Sequence, residues 1–308
     1  MIQFYKALAD ETRLQIIGIM SMGEFSVQEI TRILNMGQSR ISRHLKILSD
    51  AGIAESRRDG ARVFYRNDSM ASGHLAKVMK QTIEWLKDSD EWEPLKTAVE
   101  EILEWRRSKS RSFFSEVGQD WPSILERFVE QDVFIRELSR NLEGIDVLAD
   151  LGCGPGHLIR HISETVPYII GVDYSIRMLD LARNNLRDLV SRGHVDLRLG
   201  ALEHLPMKDG EVDGVLVTLV LHHLAEPAAV FREFIRVIAP GGTVTIVDFK
   251  QHDHEHFRDE MADLWLGFDP RDLKNWLIET GFNHVNVQDF PGGKDDINLI
   301  IASGRKSG

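Results

Sequence analysis

The stretch VLADLGCGPG, residues 147–156, sets one acidic residue, Asp150, between an apolar run and three glycines at alternate positions, Gly152, Gly154 and Gly156. A strand running into a glycine-rich turn lets a bare backbone approach a ligand closely and take angles that a Cβ resists. A second carboxylate, Asp173, closes the next apolar run in GVDYSIRML, where an ionised oxygen could accept charge-assisted hydrogen bonds. Histidines form a third group: His222 and His223 follow the run 212–220, and His252, His254 and His256 lie in HDHEHF. Imidazoles here could act as bases. The H-x-H-x-H spacing could suggest a metal, but no cysteine or carboxylate pattern of known ligand geometry accompanies it, and no metal is expected.

Spacing narrows the ligand. A dinucleotide fingerprint G-x-G-x-x-G would need glycine at 157 or 159, and those positions hold His157 and Ile159. A phosphate-binding Walker loop fails too, because no Gly-Lys-Ser/Thr follows. The elements that must position these residues are apolar runs at 145–151, 168–173, 194–199, 212–220 and 242–249, alternating with helical patterns. That alternation predicts an α/β fold with a parallel sheet wound on both faces and a ligand at the carboxyl ends of its strands.

The N-terminal part reads differently. Leu8, Leu14, Ile16, Ile17 and Met20 fall at helical spacing within 4–22, and SVQEITRILNM repeats that period until Gly37, expected to stop the helix. In SRISRHLKILSDAGI the pattern buries Ile41, Leu45 and Leu48 and turns Gln38, Ser39, Arg40, Ser42, Arg43 and His44 outward. Two helices around a tight turn, the second opening with polar donors and arginines, form a helix-turn-helix whose second helix would enter the major groove of double-stranded DNA. IAESRRDGARVFYR then predicts two strands around Asp59-Gly60, a wing whose turn is flanked by Arg58 and Arg62. Residues 31–66 hold eight basic and three acidic residues, in a chain whose net charge is -11. Such asymmetry fits a basic nucleic-acid module joined to an acidic body. The run 70–87 is amphipathic, with Leu75, Val78, Met79, Ile83 and Leu86 inward.

KALADETRLQII, SRHLKILSDAGI and DGARVFYR, in that order, resemble the ArsR family of winged-helix repressors. The resemblance covers about the first 90 residues and implies a homodimer, built with the 70–87 helix, on a palindromic operator. Many members sense metals through thiolates in a helix that here reads GEFSVQEI, where Ser26 and Gln28 offer none.

The D-x-G-x-G-x-G run, the Asp173 strand end, LEHLPMKDGEVDGVLVTLVLHHLAEP and APGGTVTIVDF resemble class I S-adenosylmethionine-dependent methyltransferases. This implies a Rossmann-like fold binding S-adenosylhomocysteine or S-adenosylmethionine. It assigns to that nucleoside Asp150, Gly152, Cys153, Gly154, Gly156, Asp173, Tyr174, Met178, Ala201, Leu202 and Glu203. One departure stands at 200–203, where Gly-Ala-Leu-Glu replaces the usual G-D-x-E and removes the aspartate that contacts adenine.

The expected organisation is a winged helix-turn-helix over 1–90, a helical linker over 91–112, and a methyltransferase-like domain over 113–308. A single cysteine, Cys153, permits no internal disulfide. Charges at Lys6, Asp10, Glu11 and Arg13 interrupt what would be a signal peptide's apolar core, and no apolar run approaches bilayer length, so a cytoplasmic, membrane-free protein is expected. The fusion resembles regulators that sense S-adenosylhomocysteine and control methionine-cycle genes. The alternative is an active methyltransferase for a small molecule or metalloid; the sequence names no acceptor.

Overall fold

The computed structural model describes residues 2–67, 74–117, 131–292 and 297–308, the side chains of 114–117 and 131–132 excepted. The chain divides into two compact units, Met1–Arg107 and Ser108–Gly308. Among the described residues no helix is long and apolar enough to cross a membrane.

In the first unit the expected helix over 4–22 is two helices, α1 (Ile2–Leu8) and α2 (Glu11–Met20). The break comes at Asp10, whose extended backbone and carboxylate cap α2 by accepting from the Arg13 N–H at 3.0 Å. A two-residue strand β1 (Phe25–Ser26) leads into α3 (Val27–Leu34), and α4 (Gln38–Asp50) follows. Helix α3 ends at Asn35, which takes the left-handed conformation (φ 49°); Gly37, expected as the stop, is the N-cap of α4. The wing strands are β2 (Ala54–Asp59) and β3 (Arg62–Asn67), giving the sheet order β1-β3-β2. The turn is therefore Gly60-Ala61, with Gly60 at φ 59°, and Asp59 is a fully buried strand residue.

Helix α5 (His74–Lys87) buries Met79 and Leu86, while Leu75, Val78 and Ile83 are half-buried; residues 70–73 lie outside the described residues. The segment expected as a helical linker, 91–112, lies almost wholly in one 26-residue helix, α6 (Trp92–Val117). Its first four turns are core, not connector: Trp92, Leu95, Val99, Ile102, Leu103 and Arg106 are buried.

The second unit holds a seven-stranded sheet built from β4 (Val147–Leu151), β5 (Tyr168–Asp173), β6 (Val195–Leu199), β7 (Val212–Thr218), β8 (Ile238–Phe249), β9 (Phe282–Phe290) and β10 (Leu299–Lys306). The order is β6-β5-β4-β7-β8-β10-β9. The first five are parallel, and their inward residues form near-continuous apolar runs because helices cover both faces. The β9–β10 pair was not expected from the sequence: β10 runs antiparallel to both β8 and β9. Strand order reverses beside β4, which puts the glycine loop at the sheet's switch point.

One buried ion pair organises the first unit. Arg106 donates from Nε to Glu29 Oε1 at 2.9 Å, and from an Nη to Glu29 Oε2 at 2.8 Å and the Glu24 carbonyl at 3.0 Å. Its guanidinium also lies over the rings of Phe25 and Phe64. Glu29 in turn closes a capping box with Ser26 at the start of α3. Burial pushes the Glu29 carboxyl up, but Arg106 and Ser26 outweigh it and hold it below the usual range. Removing one partner leaves the other charge buried and uncompensated. Arg106→Met should therefore lower the stability of this unit by about 3–5 kcal/mol, read as a lowered first transition in calorimetry of the whole chain. Adding Glu29→Gln should recover most of that loss.

Candidate functional site

The glycine loop is shaped by contacts that forbid side chains. Gly152 (φ 78°) sits where a Cβ would stand 2.5 Å from Val220 Cγ2, and at Gly156 (φ 79°) a Cβ would stand 2.6 Å from Leu186 Cδ1. Gly154 (φ 51°) has nothing within 4 Å of the Cβ position, so there the left-handed angle alone selects glycine. The N–H groups of Gly152 and Cys153 both donate to the Val172 carbonyl, at 2.8 and 3.0 Å, which pins the loop to the end of β5.

Asp173, at that strand end, accepts from the Gly154 N–H at 2.9 Å and the Ser175 N–H at 2.8 Å. The helix 176–185 is capped by Ser175 itself, whose Oγ accepts from Met178 N–H, so Asp173 is not the cap. Each carboxylate oxygen keeps acceptor capacity beyond its one backbone donor. The Gly200 N–H donates to the Asp173 carbonyl at 3.0 Å, which ties the third loop to the same point. The ends of β4, β5 and β6 are thereby fastened together, and with them most of the residues assigned from the sequence. Ala201 is exposed, Glu203 half-buried, and Leu202 and Met178 buried. Cys153 differs: its side chain belongs to the apolar core, and burial, with Asp150 and Asp173, pushes the thiol well up. Burial likewise raises the Tyr174 phenol.

Asp150 is buried, and among the described residues its Oδ2 has no hydrogen-bond partner. Burial and then the Asp173 charge raise its pKa to about 7, and burial raises Asp173 to about 6.

Next to this loop, the short helical turn 221–223 carries His222 and His223, both buried. His222 Nδ1 meets Asp248 Oδ1 at 2.6 Å, and Asp248 also accepts from the N–H groups of Leu221 and Phe249 at 2.9 and 2.8 Å. Burial would lower His222, but Asp248 and Asp263 override it and raise it. His223 is pushed well down by burial and by His222. Asp263 was not singled out from the sequence. It is buried, its pKa is raised by burial to about 7, and its Oδ1 lies 3.7 Å from His222 Nε2. Only proximity in the fold reveals it, since 40 residues of chain separate it from His223.

In the first unit, Gln38, Ser39, Arg40, Ser42 and Arg43 are exposed along α4. His44 is not so free: it is half-buried, with Nδ1 3.6 Å from Asp10 Oδ1, and turns toward the start of α2. Arg58 is exposed and donates to the Gly60 carbonyl, while Arg62 is half-buried. The basic surplus of 31–66 is smaller in space than in sequence. Arg57 and Arg66 both bond Glu24, which lies outside that window, and Arg66 bonds Glu55 as well.

The two raised carboxylates give a signed pH dependence. Asp150 has a folded pKa of about 7 against an ordinary 3.8, so the folded protein holds a proton that the unfolded chain releases. That stabilisation is complete below about pH 4 and is lost as pH rises through about 7. Asp150→Asn, neutral throughout, should show a shallower fall in unfolding free energy over this interval than the wild type in urea titrations; an unchanged slope would contradict the assignment.

Comparison with known proteins agrees with both units. Residues 10–56 match the family model of bacterial regulatory proteins of the arsR family, and residues 149–246 match a methyltransferase domain model. An uncharacterized 37.1 kDa protein in transposon TN4556 of Streptomyces fradiae is 32% identical over 190 residues, covering 56% of this chain and 54% of that protein. An arsenite methyltransferase of Halobacterium salinarum is 32% identical over 151 residues, covering 46% of this chain and 38% of that protein. The chain thus spans about half or less of the length of these relatives. Among solved structures, the N-methyltransferase NodS of Bradyrhizobium japonicum, in complex with S-adenosyl-L-homocysteine, superimposes with a TM-score of 0.52 at 15% identity, over 64% of this chain and 98% of that one. The glycine loop at the switch point, the matching sheet and the exposed second helix of the N-terminal pair agree with these matches: a segment that fits the arsR-family model precedes a unit with the fold of S-adenosylmethionine-dependent methyltransferases.

Proposed function

We propose that this protein is a DNA-binding transcriptional regulator, a repressor, whose methyltransferase-like domain binds S-adenosylhomocysteine or S-adenosylmethionine as effector and controls methionine-cycle genes. The observation that carries this reading lies at the start of α3. There the metal-sensing relatives place thiolates, and this chain places a capping box gripped by Arg106. Helix α6, which carries Arg106, continues into the second unit, where Lys109 donates to the Arg258 carbonyl at 2.7 Å. A signal about ligand occupancy has a covalent, helical route to the DNA-reading element. Exposed Ile2, Tyr5 and Trp85 on α1 and α5 supply an apolar face for a second copy, consistent with a homodimer on a palindromic operator. The Asp173 carboxylate would take the ribose hydroxyls, with Leu202 and Met178 against the purine. Ala201 holds the position of the missing adenine-contacting aspartate, and Glu203 is the retained glutamate of that tetrad.

A second reading, an active methyltransferase for a small molecule or metalloid, draws on the buried His222–Asp248 pair, which has the arrangement of an oriented general base. Operator binding titrated separately with each nucleoside separates the two readings.

Two outcomes are expected. Arg43→Ala should relax preference at one base pair, with a loss of about 1–3 kcal/mol, whereas Arg62→Ala should weaken all sequences alike and reduce the salt slope by about 0.9. An unaltered slope for Arg62→Ala would remove the wing from the DNA contact. Second, saturating S-adenosylhomocysteine should weaken operator affinity by roughly 5- to 150-fold, and operator DNA should weaken the nucleoside by the same factor. Asp173→Ala should retain operator binding and lose this response, with the first unit's thermal transition unmoved. Equal operator affinity with and without either nucleoside would favour the enzyme.

A further inference from the structure

Residues 219–224 and 261–266 are clamped together: the N–H groups of Leu264 and Trp265 donate to the His222 carbonyl at 3.1 and 3.2 Å, and Trp265 Nε1 donates to the Leu224 carbonyl at 2.8 Å. This frame gathers His222, His223, Asp248 and Asp263, each no more than 4% exposed. Asp248 is fully engaged. Asp263 is not, because among the described residues neither of its carboxylate oxygens accepts a hydrogen bond. Buried carboxylates are ordinarily bonded, since an unmet charge in a low-dielectric interior is costly.

The distances say what could meet that charge. Asp263 Oδ1 stands 3.7 Å from His222 Nε2 and 3.8 Å from His223 Nδ1. Both are too long for hydrogen bonds. Two ligand atoms each about 2.1 Å from one cation are themselves about 3–4 Å apart. Nearby cations are occupied: Arg258 bonds the Leu264 carbonyl and Glu255, and Lys109 bonds the Arg258 carbonyl. The backbone adds an independent sign. Leu219 (φ 55°) and Ala262 (φ 56°), neither a glycine, hold left-handed angles on the two segments that present these side chains. Strain of this kind persists where the surroundings enforce it, and it clusters at functional sites.

We propose that His222 Nε2, His223 Nδ1 and Asp263 Oδ1 bind one divalent cation of the zinc–cobalt type, with Asp248 as the outer carboxylate that orients the His222 ring. Two imidazoles among three donors select a borderline transition cation over Mg²⁺ or Ca²⁺, which take oxygen ligands. The Asp248–His222 bond is the carboxylate–histidine partnership that fixes the ligating nitrogen. Three protein donors leave a fourth position for water or an acceptor atom. A doubly charged cation would offset the two carboxylates, Asp248 and Asp263, that face the imidazoles. The sequence led to the expectation of no metal, and His254 and His256 of the H-x-H-x-H run are exposed and not part of this group. The site leaves the DNA-binding reading untouched and replaces the general-base role of His222 in the second reading, because a cation on Nε2 takes the lone pair that a base would use.

The test uses the full chain, stripped with a chelator and titrated with Co²⁺. One equivalent should bind with visible d–d absorption that Zn²⁺ displaces. Asp263→Asn should weaken Co²⁺ at least tenfold, and the paired His254→Ala, His256→Ala variant should bind like the wild type. X-ray absorption of the zinc-loaded wild type, which needs no variant to fold, should count two imidazoles and no sulfur. Absence of Co²⁺ absorption, wild-type affinity in Asp263→Asn, loss of binding in the paired histidine variant, or a different imidazole count would each overturn the proposal.

Discussion

The Asp173 carboxylate is the fastening on which the pocket depends. It accepts the N–H of Gly154 from one loop and of Ser175 from the next, while its own carbonyl accepts the N–H of Gly200 from a third. Three strand ends are held in register by one residue, so any ligand contact at this position comes on top of a structural role. A carboxylate has about four acceptor sites, and two backbone donors leave room for hydroxyls. The cost is burial of charge, visible in the raised pKa of Asp173 and, more strongly, of Asp150 behind it. A ligand that donates hydrogen bonds to Asp173 lowers that cost, which links occupancy to the stability of the loops.

The first unit manages charge by a different principle. Its arginines divide into those consumed by the fold and those left on the surface. Glu24 collects Arg57 and Arg66, and Glu29 collects Arg106, with aromatic rings completing the surroundings of the buried guanidinium. Such networks are stable only when every member is satisfied. The exposed Arg40 and Arg43 remain on the surface of α4.

The histidine pair behind the glycine loop follows a third pattern. Val220 fills the space beside Gly152, and the next three residues turn inward to meet Asp248 and Asp263. A bulky residue at Leu219 and an alanine at 262 hold left-handed backbone so that this convergence occurs. Polar groups are concentrated here, in a unit whose core is otherwise apolar, within a few residues of the strand end where a nucleoside would sit.

Much of this was legible in the sequence. Parallel strands covered on both faces must be nearly continuous apolar runs, so β4, β5, β7 and the second half of β8 announce themselves, while the edge strand β6 alternates with Asp196 and Arg198; glycines whose Cβ would collide or whose φ is left-handed mark the loop after β4. The helix-turn-helix was legible for the same local reason, a 3.6-residue period with polar residues on the opposite face. Boundaries set by single caps were misplaced: Asp10 splits the first helix, and Asn35, not Gly37, ends the third. The antiparallel pair β9–β10 escaped because β9 is largely exposed and polar, and β10 offers only a short buried apolar run, Leu299–Ala302, before polar residues. What the sequence determined by itself is therefore local: periodicity, caps, and the glycine loop's shape. Only the tertiary structure decided which charges meet. Glu24 with the wing arginines, Arg106 with Glu29, and Asp263 with the histidine pair are separated by between 33 and 77 residues or brought together by a strained loop. Coulomb energy and desolvation depend on distance in space and on burial, and neither is written in the spacing of residues along the chain.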